Sequence, residues 1–193
     1  MGFDLLPLLT RTGALLSGHF RLSSGLHSSS YVQCALLLED PRNAKVIGET
    51  LGARLREFEA KRVVSPALGG VIIGYTVAEA LEIPMAFTER KDGEMTLRRG
   101  FRVVPGERVV IVEDVVTTGK STREAAAAIE QRGGRVIGYG SILNRSGMAN
   151  PFDAPYEALL ALALDAWPEA GCPLCHAHKP IDSPGSRYSG ASK

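Results

Sequence analysis
The chain has 193 residues, 22 basic and 21 acidic side chains and a formal net charge of +1. That balance excludes a broad electrostatic attraction to nucleic acid or anionic membranes, and no apolar run reaches transmembrane length. Hydrophobic residues make up 45 % of the chain and cysteines number three, which fits one globular domain with a real core in a reducing, cytoplasmic setting and argues against a disulfide framework. The leucine-rich stretches Leu5–Leu9 and Ala14–Leu16 are interrupted by Arg11 and lack a basic leader, so no signal peptide is expected.

Taken in chain order, Phe3 to Leu16 pattern as a short amphipathic helix with a weak point at Thr10–Gly13. Residues 18–38 suggest two short strands around a Ser/Gly turn. Asp40-Pro41 opens a helix to about Ala60, with proline in the first turn. Val63–Ser65 is a strand, Pro66–Gly70 a tight loop and Val71–Leu81 a helix. Met85–Phe87 is a further strand, followed by a polar hairpin or loop from Glu89 to Gly100. The unbroken apolar run Val109–Val112 reads as a central strand covered on both faces. An Ala-rich helix then runs from Glu124 to Arg132 and ends at Gly133-Gly134. Val136–Leu143 and Pro155–Leu164 supply the last strands. This alternation calls for a parallel sheet with helices on both faces.

The most informative segment is Arg108 to Thr122: strand, then Glu113 and Asp114, then Val115-Val116-Thr117-Thr118-Gly119-Lys120-Ser121-Thr122 leading into a helix. Ligands of open α/β sheets sit beyond the carboxyl ends of the strands, where the two acids are expected. A helix N-terminus offers amide groups and a positive dipole end to phosphate. A ligand carrying both a phosphate and neighbouring hydroxyls reconciles the acids with the cradle, and a ribose 5-phosphate is such a ligand. Gly119-Lys120-Ser121 ends like a P-loop, but that motif needs glycine where Asp114 stands.

The segment resembles the phosphoribosyl-pyrophosphate signature of the type I phosphoribosyltransferases. The resemblance implies their α/β fold: a central, mostly parallel sheet flanked by helices, with a small N-terminal hood. It covers roughly residues 1–165, with the hood in 1–38, the core in 40–165 and a Cys/His/Pro-rich tail in 166–193. Within the family the chain is most similar to the orotate phosphoribosyltransferases, and several residue expectations follow from that likeness. Glu113 and Asp114 would hold the ribose hydroxyls, with Asp114 among the catalytic residues; Val115 and Val116 would belong to the phosphoribosyl-pyrophosphate site, and Thr117, Thr118, Gly119, Lys120 and Ser121 would hold the 5-phosphate. The small-residue loop at Ala67, Leu68 and Gly69 matches the place of the pyrophosphate, with Gly69 where some relatives carry lysine. Arg90 and Lys91 match the family's catalytic Arg-Lys pair on a mobile loop, 89–100, that serves the neighbouring subunit of a homodimer. That loop's further lysine and histidine have no clean counterpart; Arg98 and Arg99 stand nearby. Phe20 to Ser28 with Tyr31 resembles the hood, where Ser24 and Gly25 would read the base, although Ser23 replaces the usual lysine. Arg145, past the strand Val136–Leu143, matches the arginine that clamps the base's carboxylate, and Thr117 would help orient the base. Mg²⁺ is the implied cofactor, bound through the substrate.

The implied reaction transfers ribose 5-phosphate from phosphoribosyl pyrophosphate to orotate N1, giving orotidine 5′-phosphate and pyrophosphate in pyrimidine biosynthesis. The alternatives are a purine or other nucleobase phosphoribosyltransferase and a non-catalytic phosphoribosyl-pyrophosphate sensor. The partners expected are these small molecules and a second copy of the chain, with no nucleic acid and no membrane. Cys172-Pro173-Leu174-Cys175 is open to three readings: a zinc site completed by His176 and His178, a redox pair, or a solvated or dimer-packed tail, the last being favoured. His19 and His27 are expected to be exposed or structural, and Cys34 a small buried hydrophobe.

Overall fold
The computed structural model describes residues 4–22 and 24–184. Phe3, the expected first helical residue, and Ser23, the hood position that replaces lysine, lie outside the described residues, as does the end of the tail from residue 185.

The chain begins with α1 (Leu5–Arg11), whose Leu6 amide donates to the Asp4 side chain as an N-cap. The weak point at Thr10–Gly13 is where this helix stops: Gly13 takes φ +67°. Leu15 and Leu16 then belong to strand β1 (Leu15–Arg21) rather than to the helix. β1 pairs antiparallel with β2 (His27–Val32), forming a separate two-stranded hood. A short helix α2 (Cys34–Leu38), not anticipated from the sequence, drops from the hood into the core. Asp40 caps α3 (Pro41–Leu55), which is shorter than expected and closes in a 3-10 turn at Arg56–Phe58.

The main sheet follows: β3 (Arg62–Pro66), α4 (Gly69–Leu81), β4 (Met85–Lys91), β5 (Glu94–Leu97), β6 (Arg108–Val116), α5 (Lys120–Glu130), β7 (Arg135–Asn144) and β8 (Tyr156–Ala161). Its strand order is β5-β4-β3-β6-β7-β8, parallel throughout except at edge strand β5. The order reverses between β3 and β6, a topological switch point of the kind that binds ligands in open α/β sheets. The unalternating run Val109–Val112 has the cause inferred from sequence: Val110 and Val112 enter the core on the α3/α4 side, Val109 and Ile111 the core beneath α5.

On the first face α3 and α4 approach unusually closely. A Cβ on Gly48 would lie 2.4 Å from Thr76 Cβ and 2.8 Å from its backbone carbon, and one on Gly52 3.0 Å from Ala80 Cβ. Glycines one turn apart let the two backbones meet along the second half of α4, at Thr76 and Ala80. Gly48→Ala gains about 1 kcal/mol of helix propensity but forces a backbone shift of the kind that costs roughly 1–3 kcal/mol. Packing wins, because the Thr76 backbone as well as its side chain stands in the way. Urea denaturation should show a net loss of about 1 kcal/mol or more, whereas an unchanged or raised midpoint would mean that the helices separate at no cost.

Candidate active site
The switch point brings two loops and one strand together. The acids, expected at the carboxyl end of the strand, lie within β6, because pairing with β7 continues to Val116↔Asn144. Glu113 is 7 % exposed. The N-terminus of α4 lies directly opposite. A Cβ on Gly69 would meet the Asp114 carboxylate oxygens at 2.7 and 2.8 Å, and one on Gly70 would meet Glu113 Oε1 at 3.1 Å and the Val112 carbonyl at 3.0 Å. Gly69-Gly70 is therefore more than turn chemistry: any side chain at Gly69 would displace the carboxylate. The preceding peptide, Ala67–Leu68, is cis, the Ala67 amide donates to the Thr88 carbonyl at 2.7 Å, and Leu68 projects into solvent.

Few donors compensate the two acids. The Val115 amide donates to Asp114 Oδ1 at 2.8 Å, and the Asp114 amide to Glu113 Oε1 at 3.3 Å. Neither acid has an ion-pair partner among the described residues. Burial, reinforced by the Asp114 charge, pushes the Glu113 carboxyl well above its ordinary range, and burial also raises Asp114.

Beyond Val116 the chain turns through Thr117 and Thr118, both exposed, to Gly119. Gly119 caps α5 in the left-handed region at φ 69°, with no side-chain cap. The first-turn amides thus have no intrahelical acceptors, although Lys120 N lies 3.3 Å from Thr118 Oγ1. Arg123, which sequence reasoning did not single out, braces this loop. Its guanidinium donates to the Thr118 carbonyl at 2.6 Å and the Pro151 carbonyl at 3.3 Å, and lies over the Phe152 ring. A Cβ on Gly119 would run into Phe152 and Arg123, at 2.9 and 3.0 Å. An arginine four residues into a helix carries no sequence signal for that role.

Arg145 leaves the end of β7 with its amide donating to the Val116 carbonyl at 2.7 Å, which ties it to the signature strand. Asn144 braces the turn, donating to the Met148 carbonyl at 2.8 Å and accepting from Ser146 N and Oγ at 3.0 and 2.7 Å. Arg145 Nε is buried without a hydrogen-bond partner among the described residues. Burial lowers the Arg145 pKa, with opposing contributions from Tyr31 and Cys34. Tyr31 is raised by burial and by the Asp114 charge. Hood strand β2 and helix α2 therefore reach the same locus as the signature acids and Arg145. Cys34 is buried there, as expected, and its thiol is pushed well up by burial and both acids. Ser24 and Gly25 sit at the exposed hood tip and make no hydrogen bond to Asp114 or Arg145 among the described residues.

The segment 89–100 begins as a β-hairpin, turning at Asp92-Gly93 with both residues at positive φ. Arg90 pairs with Glu124 at the start of α5 and donates to the Gly93 carbonyl. Lys91 is exposed, with no ion pair among the described residues. Arg98 and Arg99 both pair with Glu89. The guanidiniums are thus engaged with acids of their own chain.

The tail, though largely exposed, docks on the hood: Trp167 and His27 exchange backbone hydrogen bonds of 2.8 Å, as Asp182 does with His19 and Arg21. Ser28 Oγ also donates to the Asp165 carbonyl at 2.7 Å. His176 and His178 are exposed, whereas His19 and His27, expected to be exposed or structural, are buried.

Raised acids give a testable linkage. Glu113 holds its proton more tightly in the folded chain than in the unfolded one, so its cost is absent below its ordinary pKa of 4.5 and grows as pH rises above it. Relative to wild type, ligand-free Glu113→Gln should gain stability progressively from pH 4.5 upward in denaturant titrations. A difference that is flat with pH, or largest in acid, would contradict the buried-acid geometry.

The chain matches the family model described as "Phosphoribosyl transferase domain" over residues 36–174. It is 49 % identical over 180 residues to an orotate phosphoribosyltransferase of Thermotoga maritima, covering 93 % of this chain and 96 % of the relative. An orotate phosphoribosyltransferase of Carboxydothermus hydrogenoformans is 46 % identical over 186 residues, covering 95 % and 97 %. Among solved structures, orotate phosphoribosyltransferase from Aeropyrum pernix superposes with a TM-score of 0.68 at 25 % identity, covering 82 % of this chain and 94 % of that one. Signature strand, switch-point geometry and sequence agree: the chain belongs to the phosphoribosyl transferase family.

Proposed function
We propose that the chain is an orotate phosphoribosyltransferase that transfers ribose 5-phosphate from phosphoribosyl pyrophosphate to orotate N1 in pyrimidine biosynthesis. The observation that carries the choice of base is Arg145. Its Nε is buried and unpartnered, with Tyr31 and Cys34 nearby, and a planar guanidinium in that state suits the carboxylate of orotate. Purine bases offer no such group. The relatives at 46–49 % identity bear the same activity in their names.

In this reading the 5-phosphate lies on the amides of Thr117–Ser121 at the N-terminus of α5, supported by Arg123. Glu113 and Asp114 accept hydrogen bonds from the ribose hydroxyls, which replace the water that burial has removed. The pyrophosphate lies on the loop Ala67–Gly69, whose backbone comes close against Asp114 because Gly69 has no side chain. Arg145 and Thr117 orient the base, with Tyr31 from the hood facing the same locus. N1 of orotate forms the bond to ribose C1 as the C1–oxygen bond breaks; the electron pair leaves with pyrophosphate, which also takes up the proton lost from N1. No protein nucleophile is needed; positioning and electrostatics do the work.

Mg²⁺ fits the donor set, because it prefers oxygen ligands and keeps several waters, and the uncompensated Glu113–Asp114 pair faces the substrate's hydroxyl oxygens. It would be held through substrate oxygens and would neutralise charge on the departing pyrophosphate. Arg90 and Lys91 serve the leaving group, with Arg90 exchanging Glu124 for it as the hairpin moves. A homodimer, with segment 89–100 acting at the neighbour's site, is supported by the exposed apolar row Leu68, Ile72 and Tyr75 along α4 beside the site. The free state of Cys34, Cys172 and Cys175 supports a reducing, cytoplasmic setting.

The test is turnover with phosphoribosyl pyrophosphate and Mg²⁺, following orotate, with uracil, hypoxanthine and adenine in parallel. Orotate alone should be consumed. Arg145→Ala should lower kcat/KM for orotate roughly 100-fold, about what one charge-assisted pair supplies, and Asp114→Asn should lower kcat. Turnover of a purine with Arg145→Ala unimpaired would move the function to a sister enzyme. Tight binding of phosphoribosyl pyrophosphate without turnover of any base would indicate a sensor.

A further inference from the structure
The hood and the tail converge on a second cluster of chemically active side chains, apart from the signature residues. His19 Nε2, His27 Nδ1 and the sulfurs of Cys172 and Cys175 all lie within 4.8 Å of one another. Individual separations are 3.1 Å between the two imidazole nitrogens, 3.2 Å from His27 Nδ1 to Cys175 Sγ, and 3.5 and 3.7 Å from His19 Nε2 to the sulfurs of Cys172 and Cys175. Zinc–nitrogen and zinc–sulfur bonds of about 2.0–2.1 and 2.3 Å in a tetrahedron put ligand atoms roughly 3.3–3.8 Å apart. The four atoms thus stand close to the corners of one zinc tetrahedron.

Burial and orientation point the same way. His27 is 1 % exposed, Cys172 0 % and His19 5 %. His19 Nδ1 lies 2.9 Å from the Lys179 carbonyl. That carbonyl can only accept, so Nδ1 carries the proton and the Nε2 lone pair faces the cluster. This is the outer hydrogen bond that fixes the tautomer of metal-bound histidines. Without a cation, lone pairs of two imidazoles and two sulfurs would crowd one buried point with only weak S–H donors and one N–H between them. A divalent ion satisfies all four, and two thiolates balance its charge. Two sulfurs and two imidazoles select zinc over the oxygen-seeking magnesium or calcium.

We propose that His19, His27, Cys172 and Cys175 form a closed, tetrahedral structural zinc site that clasps the tail to the hood. The site uses residues of β1 and β2 on one side and the Cys-x-x-Cys turn leading into α6 (Pro173–His176) on the other. His176 and His178, the expected completing ligands, are exposed and take no part. Four protein ligands leave no open position, so the ion is structural rather than catalytic. His27 and Cys175 are 148 residues apart; joining them removes much of the freedom of an otherwise weakly anchored tail. The bridges Phe20↔Asp182 and His27↔Trp167 flank the cluster, so metal and backbone pairing reinforce each other. The inference does not rest on the proposed reaction.

The experiment is metal analysis of the full chain purified without a histidine tag, followed by Co²⁺ titration of protein stripped of metal. About one zinc per chain is expected. Cobalt should give the intense d–d bands of a tetrahedral ion with thiolate charge transfer. The thiols of Cys172 and Cys175 should react with a disulfide reagent only after the metal is removed, and removal should lower the unfolding temperature. Cys172→Ser with Cys175→Ser should abolish stoichiometric binding, while His176→Ala with His178→Ala should retain it. If the cysteine variants fail to fold, the wild-type cobalt spectrum decides. A stripped, folded wild type that gives no tetrahedral thiolate spectrum would overturn the site. So would a Cys172–Cys175 disulfide in anaerobically purified protein, or loss of metal in the His176/His178 variant.

Discussion
The close contact between the Asp114 carboxylate and Gly69 constrains most of this structure. Two neighbouring acids within a central strand are costly, because burial and mutual repulsion both oppose ionisation. The fold tolerates them by placing the backbone of another loop directly against them. That arrangement requires glycine at 69 and 70, a strand order that reverses between β3 and β6, and a start of α4 set close to the sheet. Farther along the same helix, α3 and α4 meet closely at Gly48 and Gly52. What results is a concave, acid-lined point with amide groups on both sides, suited to a ligand that carries phosphate at its ends and hydroxyls between them.

Much of this was readable in the sequence because it is local. The apolar run of β6, the two acids and the Thr-Thr-Gly-Lys-Ser turn lie within one stretch of fifteen residues, 108–122, and each carries its own physical signal. Where the reading failed, tertiary pairing had overridden local pattern. Leu15 and Leu16 continue a helical stripe but pair with Val32 and Tyr31 in the hood. Glu113 and Asp114 look like a strand's end, yet Ser141 and its neighbours on β7 extend the ladder past them. The charged segment after Phe87 leaves hairpin and loop both open, and Asp92-Gly93 at positive φ makes it a hairpin. α2 has only five residues, too few for a period to show.

The site residues divide along the same line. Glu113, Asp114, Gly69 and Arg145 each sit at the end of a strand pattern, where sheet architecture predicts ligands. Tyr31 reaches the same region from the hood, where the resemblance places it, whereas nothing in the immediate sequence of Arg123 announces its role. The zinc ligands are the extreme case. Cys172 and Cys175 show their spacing openly, but a Cys-x-x-Cys pair suggests histidines close by, and His176 and His178 are only decoys for that search. The histidines that meet the sulfurs lie across the whole domain, and only the docking of the tail on the hood brings them together.

Charge balance connects the two ends of the molecule. Around the signature the described acids have no ion-pair partners, while Arg90, Arg98 and Arg99 are held by Glu124 and Glu89. In the ligand-free chain, positive charge is thus stored a short distance from where an anionic leaving group would need it. Glu89 and Arg90 are adjacent on β4 and share the hairpin with Arg98 and Arg99. Arg145 differs: Asn144 and the Val116 carbonyl already fix its backbone, and its Nε has no acid to leave. In the proposed reaction that difference separates two tasks. A pre-formed guanidinium selects the base before chemistry begins, and a displaceable set of guanidiniums arrives when charge develops. A site that stored all its arginines unpaired would bind pyrophosphate tightly and release it slowly. Holding them on Glu89 and Glu124 offsets part of that affinity and leaves the remainder for the transition state.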